Sequence, residues 1–232
     1  TGCLNTTNAL STNRRSTSRT IMLGSAPTVR AQNIRGIEAS RIRLGVVQPG
    51  ENIADFNDAL NTLRGSLSYL YADPNGNRYY YDTRPTLRKT ASDRSSQMAS
   101  SDVEYEIEKR LRDLRKEAPF AGLHTCPSSS SDVSDEQAVR LVILRPADTY
   151  KQGKMDSPAI KKAEEILNTR GTAPRTYRNM LAFVAPDQGL LPSLQKTVRD
   201  LLAWESIKTD SERLNLDAAQ NAETASNISR CN

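Results

Sequence analysis

Aromatic residues are scarce in this chain of 232 residues: they make up 5% of it, and eight of the few present are tyrosines. Hydrophobic residues, at 37%, also fall below the share that is usual in globular proteins. The composition therefore allows a hydrophobic core, but not a generous one. We expect part of the chain's surface to be buried against a partner.

Long apolar runs and a cysteine framework are missing too. No run approaches the roughly 20 residues that a membrane helix needs, and the chain does not open with a signal-peptide pattern. Cys3, Cys126 and Cys231 are odd in number and widely spaced, which argues against disulfides and for a reducing cytoplasm. The net charge of +5 is a mild basic excess that permits contact with nucleic acid without requiring it.

The sequence also lacks the motif of an ATP site. Asp187 follows an apolar run as the metal-side aspartate of an ATPase does, but no G-x-x-x-x-G-K-[ST] loop accompanies it. His124 and Cys126 form a single His/Cys pair without the further ligands that a metal needs, and we interpret Cys126 as a buried core residue. No catalytic residue, metal or cofactor is therefore assigned, and the chain alone is expected not to hydrolyse ATP.

Five of the eight tyrosines fall within SYLYADPNGNRYYYDTRP, residues 68–85. The turn residues of Asp73–Gly76 favour a three-residue loop closed by a left-handed glycine, which predicts a hairpin. In that register Asp73 faces Asn77, and Arg78 and Tyr80 turn outward. The opposite face then carries four tyrosines, namely Tyr69, Tyr71, Tyr79 and Tyr81.

The first half of the chain is predicted to form a winged-helix-like module over residues 20–95. Residues 1–19, rich in Ser, Thr and Asn, are expected to be an irregular lead-in. Within the module, a helix over 52–67 is predicted to start at the cap residue Asn52 and to place Ile53, Phe56, Leu60, Leu63 and Leu67 on one face. This helix runs straight into the hairpin, as the last helix of a winged-helix domain runs into its wing. A capping box at Ser101 then opens a bridging helix within residues 96–117.

The second half is predicted to be a small α/β domain over residues 118–206. A short strand and two continuous apolar runs, AVRLVILRP and NMLAFVAPD, alternate with helices over 158–170 and 190–206, which predicts parallel strands with a right-handed crossover. Because no Gly or Pro follows Ser193, the last helix is expected to continue as a truncated extension through 207–232. The predicted fold class is α+β: a module with a tyrosine-rich hairpin, a βαβα layer and a long C-terminal helix.

Two groups of residues are candidates for contacting a partner. The first lies on the hairpin and at its base, where basic and tyrosine side chains suit a DNA backbone. Its members are Arg78, Tyr80, Arg84, Arg88 and Lys89. Two interpretations without a DNA contact stay open. Basic residues often form a solvated face, and cross-strand tyrosines often only stabilise a hairpin.

The second group surrounds Gly171 and Pro174, ahead of the second apolar run. Its members are Arg170, Arg175 and Arg178. Arginine binds phosphate through paired hydrogen bonds, so these residues are candidates for contacting a nucleic-acid backbone or a nucleotide held by a neighbouring domain. The alternative is that they pair with local acids at the edge of a strand.

Several segments resemble a known family. They include LGSAP, RIRLGVVQPGE, DALNTLRGSLSYLY, NRYYYDTRPTLRK, RGTAPRTYRNMLAFVAPD and DLLAWESI. Together, from about residue 20 to 220, they are similar to the downstream half of very large bacterial and archaeal P-loop ATPases. That family is formally of unknown function, and its members often lie beside DNA methyltransferases and helicases in phage-defence islands of the phage-growth-limitation and BREX type.

The resemblance implies a context rather than a catalytic site. The family's ATP and Mg²⁺ site lies in an AAA-like domain upstream of this region, so no catalytic residue carries over. The chain is thereby expected to be a non-catalytic DNA-binding and coupling region of a cytoplasmic, defence-associated ATPase. Its expected partners are DNA, the remainder of the ATPase chain and a methyltransferase or helicase, with no membrane. The alternative is a protein-interaction or oligomerisation module that supplies arginines to a neighbouring ATP site.

Overall fold

The computed structural model describes residues 3–26, 34–73, 76–114 and 119–231, and its fold class is α+β, as predicted. The chain divides into two compact units. Unit 1 takes the chain up to Asp93 together with Leu216–Ala222, and unit 2 takes Arg94–Asn215 together with the residues from Glu223 onward.

Unit 1 combines helices with a small antiparallel sheet. Its elements are α1 (Cys3–Ser25), β1 (Ile37–Glu38), α2 (Ala39–Val46), α3 (Ile53–Ser66), β2 (Leu70–Ala72), β3 (Arg78–Tyr81) and the start of α4 (Leu87–Gln97). The strands pair in the order β1-β3-β2, all antiparallel. The basic segment at the base of the hairpin is partly helical, because α4 begins at Leu87, which is buried.

The core of unit 1 is built around one face of α3. That face buries Phe56, Leu60 and Leu63 at helical spacing, as the sequence predicts. Ile53, predicted on the same face, is instead 55% exposed. Asn52 caps the helix as expected, since its side-chain oxygen accepts the N–H of Ala54 at 3.0 Å.

The expected irregular lead-in over residues 1–19 is wrong, because α1 runs through it. Thr17 and Ile21, one turn apart, are fully buried, and α1 packs on α2, α3 and β3. The Ser18 hydroxyl also lies 2.8 Å from the hydroxyl of Tyr81. Tertiary packing of this face therefore outweighs the weak intrinsic helix propensity of Ser, Thr and Asn.

The hairpin forms, but its predicted register is wrong by one residue. Tyr71 pairs with Tyr80, and Ala72 pairs with Tyr79. The carboxylate of Asp73 accepts the backbone N–H groups of Asn77 at 2.6 Å and of Arg78 at 2.9 Å, so the second strand resumes at Arg78 and the loop gains a residue. A one-residue slip turns every side chain of a strand to the opposite face of the sheet.

The tyrosines are consequently divided between the two faces of the hairpin. Tyr79 and Tyr81 point to the core with Leu70 and Ala72. On the other face the rings of Tyr71 and Tyr80 stack, with centroids 5.5 Å apart and planes at 14°. The Tyr71 hydroxyl also donates to the carbonyl of Pro85 at 2.8 Å, which ties the outgoing chain to the hairpin.

Unit 2 contains a parallel three-stranded sheet. Its elements are α5 (Ser100–Arg112), β4 (Gly122–Thr125), a 3-10 helix (Ser130–Asp132), β5 (Arg140–Ile143), α6 (Pro158–Asn168), β6 (Thr169–Arg170), β7 (Ala173–Pro174), a second 3-10 helix (Arg178–Met180), β8 (Leu181–Val184) and α7 (Leu191–Thr209), followed by most of α8 (Ala218–Cys231). The sheet order is β4-β5-β8, and both pairings are parallel, as predicted. Val142 of β5 and Leu144 just after this strand pack with Ala159 and Ile166 of α6.

The expected continuous C-terminal helix is also wrong. The helix stops at Thr209, and Asn215 adopts a left-handed φ of 51° before α8 begins. Asp217 and Gln220 cap the new helix reciprocally: the Asp217 carboxylate accepts the Gln220 N–H at 2.8 Å, and the Gln220 side chain accepts the Asp217 N–H at 3.1 Å. A left-handed asparagine and reciprocal polar capping therefore separate the two helices without Gly or Pro.

Two glycine substitutions should move stability in opposite directions. Gly76 has φ of +69°, so Gly76→Ala is strained and should cost about 1–2 kcal/mol. Gly65 lies inside α3 with open space around it, so Gly65→Ala should gain about 0.5–1 kcal/mol. Urea unfolding of both variants checks this, and a stabilised Gly76→Ala protein would contradict the turn geometry.

Candidate nucleic-acid interface

The basic excess of the chain lies almost entirely in unit 1. Unit 1 holds 12 Lys and Arg residues against 8 Asp and Glu, whereas unit 2 holds 20 against 19. Long-range attraction of a polyanion depends on such a surplus and on its exposure. The exposed basic residues of unit 1 are therefore the first candidates for contacting a polyanion.

Arg78 is committed to its own chain. Its guanidinium donates to Glu38 at 2.7 Å, to the carbonyl of Gly36 at 3.0 Å and to the carbonyl of Arg35 at 3.2 Å. These bonds fasten β3 to the segment that enters β1. The side chain thus acts as a structural clamp between β3 and the segment that enters β1.

Tyr80 is half-buried against Tyr71, with its hydroxyl hydrogen-bonded by Arg35. Burial raises the pKa of Tyr80, and the nearby Arg35 charge acts in the opposite direction. The ring therefore serves mainly to pack the outer face of the hairpin, while the guanidinium of Arg35 shares that face.

Arg84, Arg88 and Lys89 fall where the chain leaves the hairpin and enters α4. Arg84 and Arg88 are exposed. Lys89 instead forms an ion pair with Asp93 one turn on, at 2.5 Å, and the hydrogen bond to Asp93 raises the pKa of Lys89. Arg84 and Arg88 are therefore the exposed members of the predicted group, whereas the ammonium of Lys89 is held by Asp93.

Sequence reasoning missed the arginines of α1 and α2 as a possible contact surface. Their exposed members are Arg14, Arg15, Arg19, Arg41 and Arg43. Within the described parts of the chain none of these five forms an ion pair with an acid. A helical assignment for residues 1–19 would have been the signal, because Arg15 and Arg19 are then one turn apart.

The outward face of α3 has a mixed charge. Asp55 and Asp58 are exposed in its N-terminal half, and Arg64 is exposed in its last turn. The Arg64 guanidinium reaches to 3.9 Å from the point where Gly76 would carry a Cβ atom, so it lies beside the turn of the hairpin. The end of α3 is basic and its start is acidic.

In unit 2, Arg175 is not a surface residue, contrary to its predicted role in binding phosphate. Only 3% of it is exposed, and its guanidinium donates to four backbone carbonyls. The acceptors are Ile166 (2.7 Å), Ser134 (2.8 Å), Val133 (3.0 Å) and Ser130 (3.3 Å). Arginine takes this place because its rigid fork can satisfy several carbonyls at once while its charge faces Asp135 at 3.9 Å.

The other two arginines of this group, Arg170 and Arg178, are exposed on either side of the buried one. Asp135 accepts the N–H groups of Thr176 at 2.8 Å and Tyr177 at 2.9 Å. These two hydrogen bonds, more than the neighbouring arginines, lower the pKa of Asp135.

The remaining chemical candidates have structural roles. Cys126 is buried with φ of 51°, and burial raises its thiol pKa, which is the opposite of what a nucleophile needs. Burial likewise lowers the pKa of His124. Asp187 accepts the N–H of Gly189 at 2.7 Å and of Leu190 at 3.1 Å, so its carboxylate caps the turn that starts α7.

Neither a metal cluster nor a membrane helix is found in the described ranges. No group of three or more His, Cys, Asp or Glu side chains there is arranged to hold a metal ion. No helix there is both long enough and apolar enough to cross a bilayer. No protein-family model, curated protein or solved structure matches the chain.

Replacing Arg175 should be far more damaging than replacing Arg178. Arg175→Met leaves four carbonyls without a donor and should cost roughly 3–5 kcal/mol in the free energy of unfolding. Arg178→Met, at an exposed position with one long 3.4 Å bond to the Arg175 carbonyl, should change it by less than about 0.5 kcal/mol. Urea titrations of both variants test this, and equal losses would contradict the clamp.

Asp135→Asn should lose stability in a pH-dependent way. The folded pKa of Asp135 is depressed, so its stabilising effect is present above the unfolded value of about 4 and is lost as the pH falls through the folded value. The parent should therefore unfold at higher urea than the variant at pH 7, and the gap should close at lower pH. A gap that persists unchanged at pH 2 would show that charge is not its cause.

Proposed function

We propose that unit 1 is a winged-helix-like module that binds the DNA backbone. The order of its elements supports this: helix, strand, two helices and a hairpin, with the sheet order β1-β3-β2. Winged-helix domains have this order, with α3 in the place of the recognition helix and the β2–β3 hairpin in the place of the wing. This topology is the single observation that carries the proposal.

The distribution of charge supports the same ligand. The basic surplus lies in unit 1, and Arg84 and Arg88 are exposed beside the hairpin, with Arg64 near its turn. Arginine in such positions neutralises phosphates and releases counterions, which gives affinity without sequence preference.

The charge of α3 shapes the mode of binding. A recognition helix usually enters the major groove with its N-terminal half, and here that half exposes Asp55 and Asp58. Two carboxylates so placed repel the phosphates on either side of the groove. The proposed contact therefore runs along the wing side, over Arg64, Arg84 and Arg88, rather than through base readout by α3.

The biological role that we propose follows from the family resemblance. The chain would be a non-catalytic, cytoplasmic part of a defence-associated ATPase, coupling DNA contact to an upstream domain that binds ATP and Mg²⁺. A methyltransferase or helicase of the same defence system would be its partner.

A charge-matched pair of variants tests the DNA contact. Arg84→Ala/Arg88→Ala removes two exposed charges beside the hairpin, whereas Lys151→Ala/Lys154→Ala removes two exposed charges from unit 2. The first should weaken binding to unrelated duplexes and flatten the salt dependence of log affinity by about 1.8. The second should leave both nearly unchanged. Fluorescence anisotropy at several salt concentrations gives both quantities.

The acids of α3 supply a second arm of this experiment. If the contact runs along the wing side, Asp55→Asn should change affinity by less than about twofold, because Asp55 precedes Arg64 on α3 by roughly 14 Å of helix rise, which exceeds a Debye length of roughly 10 Å. A gain of tenfold or more would place α3 in the groove. Equal losses from the arginine and lysine variants, or no binding by the parent at low salt, would refute the wing-side proposal.

A protein-interaction role is the second candidate, and a specific observation favours it. Leu23 on α1 and Leu44 on α2 are 75% and 85% exposed. They lie within one turn of a tight helix contact, where Thr20 comes to 3.1 Å from the Cβ position of Gly45. Large exposed leucines beside a helix–helix junction suit a partner chain or a second copy.

Self-association tests this second candidate. If the leucines form an interface, the parent should show concentration-dependent sedimentation, and Leu23→Ser/Leu44→Ser should remain monomeric with an unchanged unfolding midpoint. A parent that stays monomeric at high concentration would exclude pairing with a second copy.

A further inference from the structure

An exposed arginine hairpin projects from unit 2 on a buried base. We define it as residues 169–178, which include β6, β7 and the start of the second 3-10 helix. Five consecutive residues, Arg170–Pro174, are exposed, and Gly171 makes the turn with φ of +62°. Glycine at the first central position is typical of the two-residue turns that join tight hairpins.

The base of the arginine hairpin is fixed by a polar network. Arg175 joins it to the end of α6 and to the segment after β4 through four carbonyls. The buried Ser130 hydroxyl accepts the N–H of Gly171 at 3.0 Å, and Asp135 holds the N–H groups that follow Arg175. Isolated two-stranded hairpins are marginally stable, so this network is what gives the hairpin one conformation.

The fixed hairpin carries two exposed arginines. Arg170 and Arg178 are exposed, and neither forms an ion pair with any acid that the structure describes. Asp135 attracts Arg170 electrostatically, but both of its carboxylate oxygens accept backbone N–H groups. Apart from the long 3.4 Å bond from Arg178 Nε to the Arg175 carbonyl, both guanidinium groups have donors available to an external anion within the part of the chain that the structure describes.

We propose that the arginine hairpin is a second phosphate-contacting surface, in which Arg170 and Arg178 donate hydrogen bonds to a nucleic-acid backbone. The inference rests on the proposed function for its ligand and adds a surface in unit 2. Guanidinium groups match phosphate oxygens with two parallel bonds. The two arginines would thus each contact a phosphate of the nucleic-acid backbone and not a base.

The composition of the hairpin favours a polyanion over a protein partner. Protein interfaces centre on buried aromatic or large aliphatic anchors, and the residues between Arg170 and Arg175 are Gly171, Thr172, Ala173 and Pro174. A small, polar tip with flanking arginines offers charge and hydrogen bonds but little apolar area. Because the fold has already ordered this backbone, binding would lose little conformational entropy.

The test uses the full chain and four variants in the same anisotropy titration. Arg170→Ala/Arg178→Ala should weaken binding to a labelled duplex roughly tenfold at low salt and flatten the salt slope by about 1.8. Arg170→Lys/Arg178→Lys keeps the charge but loses the fork, so it should recover the slope and only part of the affinity. Lys151→Ala/Lys154→Ala is the charge-matched control, and Arg84→Ala/Arg88→Ala reports on unit 1.

The outcomes separate this inference from the proposed function. A loss in the hairpin variant with no loss in the unit 1 variant upholds the hairpin and refutes the wing-side contact, and the reverse pattern does the opposite. Equal losses in the hairpin and lysine variants would reduce the effect to net charge and overturn the inference. The hairpin assignment is also overturned if labelled ATP binding, but not DNA binding, depends on Arg170 and Arg178.

Discussion

The hydrogen bonding of one buried guanidinium organises unit 2. Arg175 joins the C-terminal end of α6, the loop after β4 and its 3-10 helix by donating to their carbonyls. Without the guanidinium, these carbonyls would lack this donor. A buried acceptor without a donor destabilises the folded state by more than a typical solvent-exposed hydrogen bond stabilises it. The connection of the end of α6 to the segment after β4 and the fixed base of the arginine hairpin both involve this one side chain.

Unit 1 depends in a similar way on a carboxylate at its hairpin turn. Asp73 binds the N–H groups of Asn77 and Arg78, and this sets where the second strand resumes. The register in turn decides that Tyr79 and Tyr81 join the core while Tyr71 and Tyr80 stack on the outside. The tyrosines thus stabilise the module from both faces, and the DNA contact that we propose falls to the arginines around it.

In each unit the arginines fall into a structural group and an exposed group. Arg78 and Arg175 act as clamps, because their guanidinium groups donate hydrogen bonds to carbonyls of their own chain and Arg78 also donates to Glu38. Arg84, Arg88, Arg170 and Arg178 are exposed nearby. In both places a structural arginine fixes a hairpin, and exposed arginines flank it. Contacts of this kind favour sequence-independent affinity for a backbone over base recognition.

The sequence by itself determined the elements whose signals are local. Apolar periodicity located α3, continuous apolar runs located β5 and β8, and a capping asparagine and a left-handed glycine placed a helix start and a turn. The tertiary structure decided what depends on distant partners. Burial of Thr17 and Ile21 made a helix of a Ser/Thr-rich segment, and reciprocal capping by Asp217 and Gln220 broke the last helix. The tertiary structure also decided which arginines face solvent. A guanidinium is hydrogen-bonded either to water or to carbonyls of the chain, and for Arg175 those carbonyls lie some 40 residues away in sequence. No local sequence pattern predicts which of the two occurs.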